Sequence, residues 1–345
     1  MGKGRDRLCD AVYALTSSAL LAGGWLVRGG RGLAAAAAAL LAFYAAVGLY
    51  LFLFASRRGR NQSYFDAQPD LRRAPPQVKA DCLAWEAERA AEFRALGAEE
   101  LSIVSADGLT LRGMLVPGDR SDRRVMVLAH GYRGRAMTMA GYAQCYLKKG
   151  MAVLLADARG HGRSGGRYIG WGWPERLDYL KWFDLLIEKY GPDVRIAMHG
   201  VSMGAATAMM VSGEALPSQV KFFVEDCGYT SLFEELRYQL RRRYHMPPFP
   251  ALYAAALYSR CFAGVGFRQA SALRQVAKNR RPMVFIHGDA DRVVPCDMAW
   301  ALYRAAGGPR QLFIVPGAGH AWAMQRDATG AIERAIDGLI EREMR

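Results

Sequence analysis

The chain has 345 residues, 52% of them hydrophobic, with a formal net charge of +14. That length holds one large domain plus an appendage, and the apolar content excludes a disordered or collagen-like chain. The positive balance fits anionic headgroups or an acidic ligand. Without a recognition motif it supports no nucleic-acid partner, and an Ala- and Arg-rich composition with solvated surface charge accounts for much of it.

Residues 1–60 are predicted to form a membrane segment. Within it, 33–55 (LAAAAAALLAFYAAVGLYLFLFA) is uncharged throughout and long enough to cross a hydrocarbon core of about 30 Å as a helix. Residues 8–27 are a weaker apolar segment, interrupted by Cys9-Asp10, Thr16-Ser17-Ser18 and Gly23-Gly24. A cleaved signal peptide is the alternative for 8–27, but no sharp small-residue cleavage site precedes the longer segment. Two spans in a hairpin are expected, with a single span at 33–55 as the alternative. Lys3, Arg5 and Arg7 precede the first segment, Arg28 and Arg31 lie between the two, and Arg57, Arg58 and Arg60 follow. With two spans the outer clusters stay inside and the rest of the chain is cytoplasmic, whereas with one span the charges nearly balance. Residues 61–98 are expected to be a charged connector, broken at Pro75-Pro76. Arg57, Arg58, Arg60, Arg72 and Arg73 are placed to attract anionic lipid.

From residue 99 to 345, apolar β-rich runs alternate with longer helical stretches, which predicts an α/β fold: a mostly parallel central sheet with helices on both faces. The run at 125–129 leads into His130-Gly131-Tyr132-Arg133-Gly134. A Gly-rich loop, DARGHGRSGG, follows at 157–166, and residues 167–175, with Tyr168, Trp171 and Trp173, are expected to form an aromatic rim.

Strand-like 195–199 is followed by Gly200-Val201-Ser202-Met203-Gly204 and then a small-residue helical stretch. This strand–turn–helix context is what a nucleophilic serine elbow requires, with glycines where a Cβ would collide. Serine needs a base and the base an orienting acid, in the chain order Ser, Asp or Glu, His. Asp291 follows the 282–286 run, with Asp289 and Asp226 as rivals, while Asp157 is read as holding its own loop. His320 follows the 311–315 run and is the base. His130, His199 and His287 read as buried or loop-packing, His161 as rim-shaping and His245 as surface. Backbone N–H groups of Met203 and Tyr132 are the candidate oxyanion donors. Residues 229–280 are read as a small helical cap, with a crossover helix and long loop as the alternative, and its Arg241-Arg242-Arg243 could meet headgroups or an acidic substrate.

These motifs, HGYRG at 130–134, DARGHGRSGG at 157–166, GVSMG at 200–204, HGDADRVVP at 287–295 and PGAGH at 316–320, resemble the α/β-hydrolase superfamily, in its serine-aminopeptidase-like and monoacylglycerol-lipase-like branch. DCGYTS at 226–231 is similar to poorly characterised bacterial hydrolases with an N-terminal membrane segment. The resemblance spans about 99–345 and implies Ser202 as nucleophile, Asp291 as acid, His320 as base, and Tyr132 and Met203 as oxyanion donors. The expected function is a membrane-anchored serine hydrolase of an ester, thioester or amide, esterase- or lipase-like, with a small-molecule or lipid acyl substrate. An aminopeptidase, or a catalytically idle membrane binding module on the same fold, is the alternative. The six cysteines (Cys9, Cys82, Cys145, Cys227, Cys261, Cys296) form no CxxC pair, which favours free thiols and argues against zinc. No dinucleotide or phosphate-loop fingerprint occurs, and no cofactor is expected.

Overall fold

The computed structural model describes residues 2–59, 76–119 and 123–345. In chain order its elements are α1 (Gly2–Ser56), α2 (Pro76–Ala95), β1 (Glu99–Val104), β2 (Thr110–Val116), β3 (Arg124–Ala129), α3 (Ala140–Leu147) and β4 (Ala152–Ala156). Then come α4 (Glu175–Tyr190), β5 (Arg195–Val201), α5 (Met203–Ser212), β6 (Val220–Asp226), α6 (Leu232–Tyr244), α7 (Ala251–Ala263) and α8 (Ala272–Val276). The chain ends with β7 (Met283–Gly288), α9 (Asp297–Ala305), β8 (Arg310–Val315), α10 (Ala323–Arg326) and α11 (Ala331–Glu343). Arg60 and the first part of the expected connector, with Arg72 and Arg73, lie outside the described residues, and α2 begins at Pro76, where a missing N–H costs a helix nothing.

Two units divide the chain. The larger, Arg58–Ser231 with Ala270–Arg345, carries one eight-stranded sheet in the order β1-β2-β4-β3-β5-β6-β7-β8. β2 is antiparallel to both neighbours, and all other pairs are parallel. The central strands are buried on both faces, which is why β3, β4 and β7 read as largely continuous apolar runs rather than alternating ones. Met126 and Leu128 join a core with Tyr146 of α3 and Ile336 and Ile340 of α11. Val125 and Val127, one residue out of step, point to the other face, where α5 packs across β3, β5 and β6. The parallel register brings the loops after β3, β5, β7 and β8 to a common edge, the carboxyl ends of the strands.

The smaller unit is Met1–Arg57 with Leu232–Gln269. Residues Gly2–Ser56 are helical along their length yet reverse direction near Gly29, whose φ is +58°. Ser17 Oγ therefore lies 3.1 Å from Tyr44 Oη. In a straight helix those residues would be about 40 Å apart at 1.5 Å per residue. Among the described residues one helical arm, Gly29–Ser56, is long and apolar enough to cross a membrane, and the apolar stretch Ala14–Gly23 is shorter. Inserted between β6 and α8, helices α6 and α7 belong to this unit. Residues 229–231 and 270–280 at the insertion's expected ends belong to the sheet unit.

Candidate active site

Ser202 joins β5 to α5 with φ 57° and ψ −114°. For a residue with a side chain such a backbone costs about 1–3 kcal/mol, so its surroundings must hold it. Ser202 N donates to Asp226 O at 2.8 Å, and Ala206 N donates to Ser202 O at 3.0 Å. The turn brings strand and helix so close that a Cβ on Gly200 would stand 2.0 Å from the Gly204 carbonyl oxygen. One on Gly204 would stand 2.0 Å from that of Ala129. Those two approaches are the physical content of the Gly-x-Ser-x-Gly pattern.

His320, in the loop after β8, lies with Nε2 2.8 Å from Ser202 Oγ and Nδ1 2.7 Å from Asp291 Oδ2. Asp291, in the loop after β7, is oriented through its other oxygen, which accepts from Val293 N at 2.8 Å and Val294 N at 3.0 Å. Burial opposes ionisation of Asp291. The charge of His320 and hydrogen bonds from His287 and His320 outweigh it and hold the carboxyl well below the usual range. An ionised carboxylate only accepts, so the network puts the proton on Nδ1 and leaves Nε2 to accept from the serine hydroxyl. The structure thus brings Ser202, His320 and Asp291 into one hydrogen-bonded chain, while Ser202 keeps partial exposure.

The rivals Asp289 and Asp226, and the loop-holding Asp157, have other partners. Asp289 accepts from Gly317 N at 2.7 Å, tying the loops after β7 and β8 together. Asp157 accepts from Ala136 N and Arg163 N, at 2.6 and 2.9 Å. Asp226 is fully buried beneath the elbow and accepts from Tyr142 Oη at 3.1 Å, and burial pushes its carboxyl up to about 6 despite that bond.

Two further residues were not legible as parts of this site. His287, read from sequence as packing, sets Nε2 3.0 Å from Val294 O and 3.4 Å from Asp291 Oδ2. Burial lowers its pKa, but the hydrogen bond and charge of Asp291 and the charge of Glu225 more than offset this and raise it. The available signal was the four-residue spacing between His287, at the end of β7, and Asp291 in the loop that follows. Glu175, at the start of α4, is buried and accepts from Gly170 N and Gly172 N, both at 2.9 Å. It clasps the turn that carries Trp171, whose ring stacks on Tyr132 with centroids 4.5 Å apart. Burial raises the Glu175 carboxyl to about 7.

The loop after β3 lies against the elbow, since a Cβ on Gly131 would come within 3.5 Å of the Ser202 Cβ. Two buried histidines fix it. His130 Nε2 accepts from Ala158 N at 3.0 Å and His161 Nε2 from Arg133 N at 3.1 Å. Burial holds both below the ordinary histidine pKa, so they stay neutral acceptors. His199 is a buried partner of Tyr146 Oη at 2.8 Å. With Arg133 N committed to His161 and Gly134 N to Gly131 O, those two N–H groups are not oxyanion donors. Met203 N, in the first turn of α5, has no acceptor within its own helix by geometry.

Cys227, Asp291 and His320 offer donor atoms within 4.8 Å of one another. The set fits a metal poorly. Burial and the charges of Asp226, Asp291 and Glu225 push the Cys227 thiol well up, so it remains protonated, and both His320 nitrogens are already bonded.

Comparison with known proteins gives the geometry its context. Residues 126–332 match the model of the Alpha/beta hydrolase family. The uncharacterised protein YqkD of Bacillus subtilis is 31% identical over 226 residues, covering 65% of this chain and 73% of that protein. A monoacylglycerol lipase of Mycolicibacterium smegmatis is 27% identical over 248 residues, covering 59% of this chain and 82% of the lipase. An esterase of Pyrococcus furiosus superposes with a TM-score of 0.59 at 23% identity, over 72% of this chain and 92% of the esterase.

Proposed function

The chain belongs to the alpha/beta hydrolase family, and on that premise we propose that it is a membrane-anchored serine hydrolase of acyl esters or thioesters. The observation that carries the reading is the relay itself: Ser202 Oγ 2.8 Å from His320 Nε2, with His320 Nδ1 2.7 Å from the ionised Asp291. In this mechanism His320 takes the hydroxyl proton as Oγ attacks the acyl carbonyl. Met203 N and Tyr132 N stabilise the oxyanion, and His320 returns the proton to the leaving group. Water then attacks the acyl-enzyme with His320 as base, releasing the acid and restoring Ser202. Asp291 fixes the tautomer and stabilises the imidazolium that forms in each step.

The anchor is supported by the uncharged arm within Gly29–Ser56, by the reversal at Gly29 and by basic residues at both ends of the hairpin. With both outer clusters inside, the sheet unit is cytoplasmic. An enzyme tethered beside a bilayer meets acyl lipids at high local concentration, and the likeness to a monoacylglycerol lipase favours a lipid ester over a peptide substrate.

The test is fluorophosphonate labelling of purified protein, wild type against Ser202→Ala, with intact mass to count adducts. One adduct on wild type, absent in the variant, is expected. Folded wild type that takes no adduct would overturn the reading. Turnover of monoacylglycerol above that of aminoacyl amides is the matching substrate result.

A further inference from the structure

The inserted segment carries a surface that the reaction does not use. α7 packs on the last turns of α1: a Cβ on Gly48 would stand 2.4 Å from Ala254 Cβ and 2.9 Å from Ala255 N. Phe52, fully buried, stacks on Phe262 with ring centroids 6.1 Å apart. Close approach of backbones over Gly and Ala is how helices meet in a bilayer, where packing must replace the hydrophobic effect.

Depth follows from helix geometry. At 1.5 Å per residue, Gly48 lies about 12 Å and Phe52 about 6 Å before the end of α1 at Ser56. Both fall within the uncharged run 33–55 that a bilayer would cover, ahead of Arg57. A helix lying against α1 at that level shares its depth, so its outward side meets lipid rather than water. Phe249, just before α7, and Tyr253 and Leu257 on it recur every four residues and are 69%, 44% and 64% exposed, with Arg268 donating to the Tyr253 hydroxyl at 3.2 Å. With 13 residues, about 20 Å long, α7 is too short to cross a 30 Å core, and its one charge, Arg260, stands in the last turn. The charge around it is mostly positive. Leu232–Gln269 holds six arginines against two glutamates, and exposed Arg242 and Arg243 close α6.

We propose that Leu232–Gln269 is a second membrane attachment: α7 lies along the boundary of an anionic bilayer, Phe249, Tyr253 and Leu257 among the acyl chains, Arg242 and Arg243 on headgroup phosphates. This rests on α1 being the membrane anchor. Apolar area beside a basic edge is the composition of an in-plane interfacial helix. A lipid surface is favoured over a protein partner because the helix that α7 packs against is itself the chain's bilayer-length segment.

The experiment uses the full chain in nanodiscs of phosphatidylcholine with phosphatidylglycerol. A photoreactive benzoylphenylalanine replaces Leu257 on α7, Leu41 on α1 or the exposed Lys181 of α4, and lipid adducts are read by peptide mass. Adducts at Leu41 and Leu257, each several-fold above Lys181, are expected. Lipid at Leu41 with Leu257 no higher than Lys181 overturns the proposal and leaves the anchor standing. No lipid at Leu41 removes the anchor, and the proposal with it. A crosslink from Leu257 to a second copy of the chain would make this face a dimer surface instead. With the Leu257 probe in place, Arg242→Gln with Arg243→Gln should lower the phosphatidylglycerol share of the adducts several-fold. An unchanged share refutes the headgroup contacts.

Discussion

Replacing Asp291 by Asn tests the relay with little change of shape. The Asn oxygen can still accept from Val293 N and Val294 N, so the loop keeps its anchor. What changes faces His320: an amide N–H now points at Nδ1, the ring must accept there, and the proton moves to Nε2, the atom that should take the serine proton. The variant also loses a charge. With nitrogen and oxygen 2.7 Å apart, two unit charges interact by about 6 kcal/mol at an effective dielectric of about 20. That attraction exists only once His320 is protonated, in the transition state, so it bears on kcat rather than on binding. At 1.36 kcal/mol per decade the loss is about four powers of ten in kcat. Steady-state hydrolysis of a short p-nitrophenyl ester measures it, with thermal unfolding to show that the variant is folded. A fall of less than about tenfold in folded Asp291→Asn would refute the reasoning. If Asp226→Asn instead caused the large fall, the orienting role would pass to Asp226.

His287→Gln should lower kcat by about tenfold with KM unchanged, the value of one weak hydrogen bond to a charged group; an unaltered kcat would make His287 a packing residue. Gly204→Ala drives a Cβ to 2.0 Å from the Ala129 carbonyl, backbone against backbone, and should destabilise the fold by more than about 3 kcal/mol in urea unfolding. A soluble variant with wild-type stability would contradict the elbow geometry. Glu175 predicts a pH effect on stability. Its folded carboxyl titrates near 7 against 4.5 unfolded, so the folded state binds the proton more tightly. Stability from this group is full below about pH 4.5 and falls by about 3 kcal/mol as pH rises to 7. Glu175→Gln should flatten that part of the unfolding free energy measured between pH 5 and 8; equal slopes in the two proteins would refute the buried-carboxylate account.

The parts of this chain that can be read in one dimension are those whose physics is local. An elbow with backbones in contact admits only glycine at positions 200 and 204, so the constraint is written where it acts. Parallel strands buried on both faces must be apolar throughout, so β3, β5 and β7 announce themselves, and the loops that follow carry Tyr132, Ser202 and Asp291. Glu175 shows where this stops. A glutamate in the first turn of a helix reads as an exposed charge favoured by the helix dipole. Its buried grip on Gly170 and Gly172 depends on how the preceding turn folds back over it. His287 is a similar case: its four-residue spacing to Asp291 is a cue, but Asp289 is nearer in sequence and the spacing alone does not choose between them. The inserted segment is the hardest, since the contact of Gly48 with Ala254 joins residues far apart in the sequence. Its cue is compositional: a short helix with exposed Tyr253 and Leu257 follows one that ends in three consecutive arginines. On the proposal above, the inner face of that helix packs on the bilayer-length arm and the bilayer itself is the neighbour of the outer face.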